Sequence, residues 1–168
     1  MNVKENIKTL IVNKPLKLDC GQTINEFPLA YETYGSLNKD KNNAILVFHA
    51  LTGDQFVTGK NPITNKDGWW SYAVGPNKPI DTNKYFVICA NVIGGCMGSF
   101  GPSHKNPKTN KSYGTDFPVI TINDIVNAQV NLLDHFEIKK LFSVVGGSMG
   151  GMQVLQFVSN FPDKTKTA

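Results

Sequence analysis

Arginine is missing altogether: all 17 basic residues among the 168 are lysines, scattered from Lys4 to Lys166. The guanidinium fork that grips phosphates and guanine edges is therefore unavailable, and the lysines do not cluster, so a nucleic-acid-binding face is not expected. The formal charge of +4 fits a solvated surface with mild attraction for anionic ligands. Cysteine is scarce as well. Cys20, Cys89 and Cys96 form an odd set without a Cys-x-x-Cys pair, which argues against a disulfide framework or a zinc site and for a reducing cytoplasm. Each is expected to be a small buried apolar residue. No run of about eighteen apolar residues exists, and Met1 to Lys8 carries Lys4, Glu5 and Lys8 in place of a basic stretch followed by an apolar one. Neither a membrane span nor a secretory signal is expected. Internal repeats and low-complexity tracts are also not evident, and 168 residues with 40% hydrophobic content suffice for one domain with a core.

What is present reads as strands first and then strands alternating with helices, the pattern of an α/β fold. Leu10 to Leu18 and Phe27 to Tyr34 suggest an opening antiparallel hairpin. Ala44 to Phe48, Tyr85 to Ala90 and Leu141 to Val145 are short continuous apolar runs of the kind buried on both faces of a sheet. Thr121 followed by Asp124 resembles a capping box, and apolar residues from Ile122 to Phe136 recur at near-helical spacing. A last helix begins near Ser148 and carries Met152, Leu155 and Val158, with Val154 and Phe157 alongside, up to Pro162. Thr52 to Thr82 and Asn91 to Pro118 are long and rich in glycine, proline and asparagine. Such loops tend to be functional, and both are expected to line a site at the carboxyl ends of the strands.

The chemistry centres on Gly146-Gly147-Ser148-Met149-Gly150-Gly151, which directly follows the apolar run LFSVV and directly precedes a helical pattern. Gly-x-Ser-x-Gly in a strand, turn and helix context is a nucleophile elbow. A serine hydroxyl attacks only when exposed, held in position and hydrogen-bonded to a base. Seated at a helix N-terminus, it also places backbone N–H groups beside a developing oxyanion. The same letters would fit a glycine-rich turn with an N-capping serine, but the flanking strand and helix favour the nucleophile. His49-Ala50-Leu51-Thr52-Gly53-Asp54 follows the buried run AILVF, where such folds place the second oxyanion loop. The Leu51 and Met149 amides are the candidate oxyanion donors, and His49 is expected to be structural.

With both motifs in hand, the chain resembles the homoserine O-acetyltransferase family of the α/β-hydrolase superfamily. The resemblance runs from about Leu16 to the end and rests on HALTGD (49–54), GWW (68–70), GPNKPIDTNKYFVICANVIGGCMGSFGPS (75–103), YGTDFPVITINDIVNAQ (113–129) and GGSMGGMQ (146–153). It implies an α/β-hydrolase fold, incomplete here, with a mostly parallel sheet and an N-terminal antiparallel hairpin. It also implies transfer of an acetyl group from acetyl-CoA to L-homoserine through an acyl-serine at Ser148, in methionine biosynthesis, by a cytoplasmic enzyme that is a homodimer at full length. No metal and no permanently bound cofactor is implied. Homoserine O-succinyltransferase, serine O-acyltransferase and esterase of the same fold are the alternatives, as is a non-catalytic fragment. The chain departs from its relatives at His104, where a second serine is common after Gly101-Pro102-Ser103, and at Gln55-Phe56, where a histidine is frequent after Asp54.

In this fold the acid and the histidine follow the serine in the chain. Only 168 − 148 = 20 residues follow Ser148, and they contain Asp163 but no histidine. Asp163, at the far end of the last helix, should lie more than about 20 Å from the hydroxyl. His104 and His135 precede the serine and are not expected to be the base. The resemblance thus implies that residues 1–168 are the N-terminal part of one domain, inactive alone, with the acid, the histidine, a lid and a substrate-binding arginine beyond Ala168. The sheet is expected to end in an unpaired edge beside the LFSVV strand.

Overall fold

Apolar runs that never alternate with polar residues belong in strands covered on both faces, and three such runs form the centre of the sheet in the computed structural model. The structure describes residues 7–168, so most of the Met1 to Lys8 segment lies outside the described residues. From the amino end come β1 (Thr9–Val12), β2 (Leu16–Lys17), β3 (Thr23–Ile24) and β4 (Phe27–Tyr34). Next are β5 (Ala44–Phe48), β6 (Val74–Gly75), β7 (Ile80–Asp81) and β8 (Phe86–Ala90). The helices α1 (Ile122–Gln129) and α2 (Asn131–His135), β9 (Leu141–Gly146), α3 (Met149–Asn160) and β10 (Thr165–Thr167) complete the order.

Six strands form one sheet in the order β1-β4-β8-β5-β9-β10. β5 runs parallel to β8 and β9, with Ile45 opposite Val87 and Phe48 opposite Gly146. β1 and β4 supply the antiparallel end, Thr9 opposite Ala30 and Tyr31 opposite Ala90. The expected first strand is shorter than Leu10 to Leu18. It breaks at Asn13-Lys14-Pro15, where proline offers no N–H to a ladder, and β2 then pairs with β3 in a separate ribbon. The edge expected beside β9 is occupied: β10 pairs with it in parallel, Thr165 opposite Leu141.

Along β5 the side chains alternate between two cores. Leu46 and Phe48 join Phe27, Ile88, Val126, Leu132 and Phe157 under the helices, whereas Ile45 and Val47 meet Val57, Val74, Val87 and Cys89 on the other face. That second face is roofed by the 52–82 loop, with the stacked rings of Trp69 and Trp70 packed against it. This loop therefore does the covering that a helix layer would otherwise do, and Trp69 is pinned by donating its Nε1–H to the Asp54 carbonyl at 2.9 Å.

Thr121 and Asp124 do form a capping box at α1. The helix expected to run on to Phe136 is interrupted at Val130, because the Asn131 side-chain amide donates to the Asn127 and Ala128 carbonyls at 3.2 and 2.9 Å and competes with the helical ladder. On α3 the packed face is Gly150, Gln153 and Phe157. Met152 and Leu155, which the helical spacing placed in one row with Val158, are 58% and 70% exposed. Of the cysteines, Cys89 is buried, but Cys20 and Cys96 are exposed, contrary to expectation.

Contrary to the expectation of no internal repeat, one short segment occurs twice with the same conformation. Asn61-Pro-Ile-Thr-Asn-Lys66 and Asn106-Pro-Lys-Thr-Asn-Lys111 fold into the same hairpin. In each, the first Asn N–H donates to the closing Lys carbonyl (2.9 and 2.7 Å), and its own carbonyl accepts from the second Asn (2.8 Å in both). The second Asn takes φ of +55° or +62°, a left-handed conformation that asparagine tolerates well. Among the described residues no helix is long and apolar enough to cross a membrane, and no three His, Cys, Asp or Glu side chains group as metal ligands.

Candidate active site

Where β9 ends, the chain reverses through Gly147 and Ser148 into α3. Ser148 adopts φ +57° and ψ −126°, a conformation that costs a non-glycine residue about 1–3 kcal/mol. Its side chain makes no capping hydrogen bond to the helix, and the residue is exposed. An N-capping serine would sit at extended φ/ψ with its oxygen on the N2 or N3 amide, so that reading does not describe this turn.

Two glycines make the turn possible. A Cβ at Gly150 would stand 2.1 Å from the Phe48 carbonyl oxygen, and one at Gly146 would stand 2.6 Å from the Gly150 backbone. With Phe48 in register with Gly146, the segment after β5 leaves the sheet beside the elbow. That segment turns tightly, Gly53 N–H donating to the Ala50 carbonyl at 2.9 Å, and presents Leu51 at its tip, 76% exposed. Among the described residues, the backbone N–H groups of Leu51 and Met149 have no intramolecular acceptor. The structure thus brings an exposed hydroxyl, the positive end of α3 and two unpaired donors to adjoining strand ends.

His49 is spent on holding this loop. It is 1% exposed; Nδ1 donates to the Ala50 carbonyl at 2.7 Å and Nε2 accepts the Val92 N–H at 3.3 Å, the tautomer being set by these partners. Burial depresses its pKa, against smaller opposing contributions from the Ala50 carbonyl and Asp54. Above the unfolded-state pKa of about 6.5 neither state binds the proton and His49 carries no penalty. Below it the unfolded chain takes up a proton that the folded chain refuses, so stability falls with pH until the folded pKa is reached. Urea titrations between about pH 7.5 and 5.5 should show a decline of at most about 1.4 kcal/mol per pH unit from this residue. A shallower slope is expected in His49→Gln, and equal slopes in both proteins would show that His49 is not held neutral.

The remaining titratable candidates lie elsewhere. Asp54 is half-buried, accepts from Phe56 N–H and Asn61 Nδ2 at 2.8 and 2.9 Å, and has its pKa raised by burial. Gln55, where a histidine is frequent in the resembling family, is fully buried and ties this loop to the Met97 carbonyl at 2.9 Å. His104 folds onto its own turn, accepting the Gly101 N–H at 3.1 Å, and His135 lies against Tyr31 and Phe136 at the solvent edge. Asp163 is exposed in a 3-10 turn beyond the far end of α3. Among the described residues, no imidazole or carboxylate is hydrogen-bonded to Ser148. A cleft of about 370 Å³ opens between Thr9, Ile63, Met97, Ser103 and His104, on the antiparallel side of the sheet, and Ser148 does not line it. Two residues not singled out from the sequence lie beside these elements: Gln153 and Gln129, buried polar side chains, with Gln153 donating to the His49 and Met149 carbonyls.

Comparison with known proteins gives a consistent picture. A model of the alpha/beta hydrolase fold matches residues 43–168. The chain is 76% identical over all of its 168 residues to the homoserine O-acetyltransferase of Pelagibacter ubique (strain HTCC1062), covering 45% of that protein. Among solved structures, a homoserine O-acetyltransferase from Bacillus anthracis superposes with a TM-score of 0.88 at 34% identity, over 95% of this chain and 44% of that one. Esterase E22 superposes with a TM-score of 0.87, also at 34% identity, over 96% of this chain and 45% of that one. The chain therefore spans less than half the length of each of these relatives.

Proposed function

The chain belongs to the alpha/beta hydrolase fold family, and from that premise we propose that Ser148 is the nucleophile of an acyl transfer from acetyl-CoA to the hydroxyl of L-homoserine, a step of methionine biosynthesis. The observation that carries this reading is the conformation of Ser148: strained, exposed and uncapped, at the junction of β9 and α3. Its Oγ gives up its proton to a base and attacks the thioester carbonyl carbon, and the negative charge gathering on the carbonyl oxygen faces the Leu51 and Met149 amides. The C–S bond then breaks, the base passes that proton to the departing CoA thiolate, and an acetyl-serine ester remains. In the second half the homoserine hydroxyl attacks this ester, its proton going to the base, and the serine is restored. Because no imidazole reaches Ser148 among the described residues, the base and its acid are assigned to the part of the relatives that this chain does not span. The same reading makes the full-length protein a cytoplasmic homodimer without metal or resident cofactor.

A second reading, ester hydrolysis, is favoured by the esterase E22 superposition, which is as good as that of the acetyltransferase. The two differ only in what attacks the acetyl-serine, homoserine or water. A full-length form given acetyl-CoA or succinyl-CoA with homoserine, serine or neither should release CoA at the highest rate with acetyl-CoA and homoserine. A release rate indifferent to homoserine, with free acetate as product, would establish the hydrolase instead.

A further inference from the structure

One buried side chain touches both walls of the candidate oxyanion pocket. Gln153 lies one turn into α3 with no exposed surface, and its Nε2 donates to the His49 carbonyl at 3.2 Å and the Met149 carbonyl at 3.3 Å. Each of these carbonyls belongs to a peptide unit adjoining one whose N–H is a candidate oxyanion donor, that of Leu51 or of Met149. A carboxamide has one donating and one accepting end. With the donating end on two carbonyls, Oε1 faces the other way, and there Nε2 of Gln129, on α1, donates to it at 3.1 Å. Reversing Gln153 would aim its oxygen at two carbonyl oxygens, and reversing Gln129 would set oxygen against oxygen. The direction of the chain of bonds, from α1 through α3 to the loop after β5, is therefore fixed.

This arrangement leaves Gln129 Oε1 buried with no partner among the described residues. An apolar pair of similar volume would remove this orphan and leave the His49 carbonyl unpaired in its place, so the glutamines bring no net gain in satisfied hydrogen bonds and stability alone does not account for them. A local rule broken in this way beside a reactive serine points to function.

We infer that Gln153, oriented by Gln129, is a positioning residue that sets the spacing of the Leu51 and Met149 amides and so the stabilisation of the tetrahedral intermediate. The inference rests on the reading of Ser148 as nucleophile. Donors of this kind work by being fixed before charge develops, so loosening their spacing slows the chemical step while leaving substrate binding almost untouched.

The test uses the full-length protein with Gln129→Met and Gln153→Met combined. The double variant exchanges one orphaned acceptor, Gln129 Oε1, for another, the His49 carbonyl, so its thermal midpoint should stay near that of the parent. Its kcat should fall about 10- to 100-fold, with KM for acetyl-CoA changed less than about threefold. The inhibition constant of a trifluoromethyl ketone, which forms a tetrahedral adduct on the serine, should weaken by the same factor as kcat/KM. Gln129→Met alone keeps both carbonyl bonds but frees the orientation of Gln153, and should show a smaller change in the same direction. It decides the matter if the double variant does not fold. An unchanged kcat, or a fall matched by loss of titratable active sites, overturns the positioning role. Ser148→Ala measured in parallel separates the two claims: retained transfer there refutes the nucleophile itself, whereas its loss beside fully active glutamine variants refutes only the positioning role.

Discussion

Replacing Ser148 by alanine in the full-length protein should lower kcat/KM by about 10⁴- to 10⁶-fold and abolish the acetyl-enzyme seen by intact mass after mixing with acetyl-CoA alone. The expectation follows from the proposed double displacement: with no hydroxyl there is no covalent intermediate, and the candidate oxyanion donors retain only their part in orienting bound substrates. Folding should barely notice the change, since the side chain is exposed and caps nothing. The backbone conformation makes the expectation sharper. At φ +57° and ψ −126° serine is strained where glycine is not, so Ser148→Gly should be equally inactive yet about 1 kcal/mol more stable by urea unfolding. A gain in stability paired with a loss of activity is the mark of strain kept for function. An acetylated protein after Ser148→Ala would place the nucleophile elsewhere.

The elbow was legible because all of its requirements are local: an apolar strand, a Gly-x-Ser-x-Gly turn and a helix follow one another within twenty residues or so of sequence, and each has its own pattern. Long-range consequences were not legible in the same way. Thr165–Thr167 has no apolar run to announce a strand, and becomes one only because the chain after α3 returns alongside Leu141. On α3, Met152 and Leu155 have the composition of core residues, but the inward face is dictated by the close approach of Gly150 to β5, which carries Gln153 and Phe157 inward with it. Gln153 closes the GGSMGGMQ motif, but nothing in a single sequence distinguishes a buried carboxamide from a solvated one. The 52–82 and 91–118 loops were expected to line a site at the carboxyl ends of the strands; they share a cleft, through Ile63 on one and Met97, Ser103 and His104 on the other, that Ser148 does not line. The first of them also roofs a face of the sheet, a role its glycine- and asparagine-rich composition conceals until Val57, Trp69 and Val74 are seen against Val47 and Val87.

That close approach at Gly150 leads to the other large effect. A methyl group there would meet the Phe48 carbonyl oxygen at 2.1 Å, its carbon at 2.9 Å and the His49 carbonyl carbon at 3.2 Å, all of them backbone atoms at the end of a central strand. No rotamer change can relieve this contact; α3 has to move away from β5 by about an ångström. Overpacking of this kind ordinarily costs about 1–3 kcal/mol, and with an unyielding backbone partner the loss for Gly150→Ala should reach or exceed the upper end. The displacement also draws Met149 away from Leu51 and lengthens the bond from Gln153 to the His49 carbonyl, so the molecules that still fold should be about 10²-fold slower. The neighbouring glycine supplies the contrast. At Gly151 the nearest atom to an added Cβ is the Gly146 carbonyl oxygen at 3.6 Å, an ordinary contact, and alanine in a helix is favoured over glycine by up to about 1 kcal/mol. Adjacent substitutions of identical chemistry should therefore move the urea midpoint in opposite directions, Gly150→Ala sharply down and Gly151→Ala slightly up. If Gly150→Ala matched Gly151→Ala in both stability and rate, the tight seating of α3 on β5, and the oxyanion geometry built upon it, would have to be abandoned.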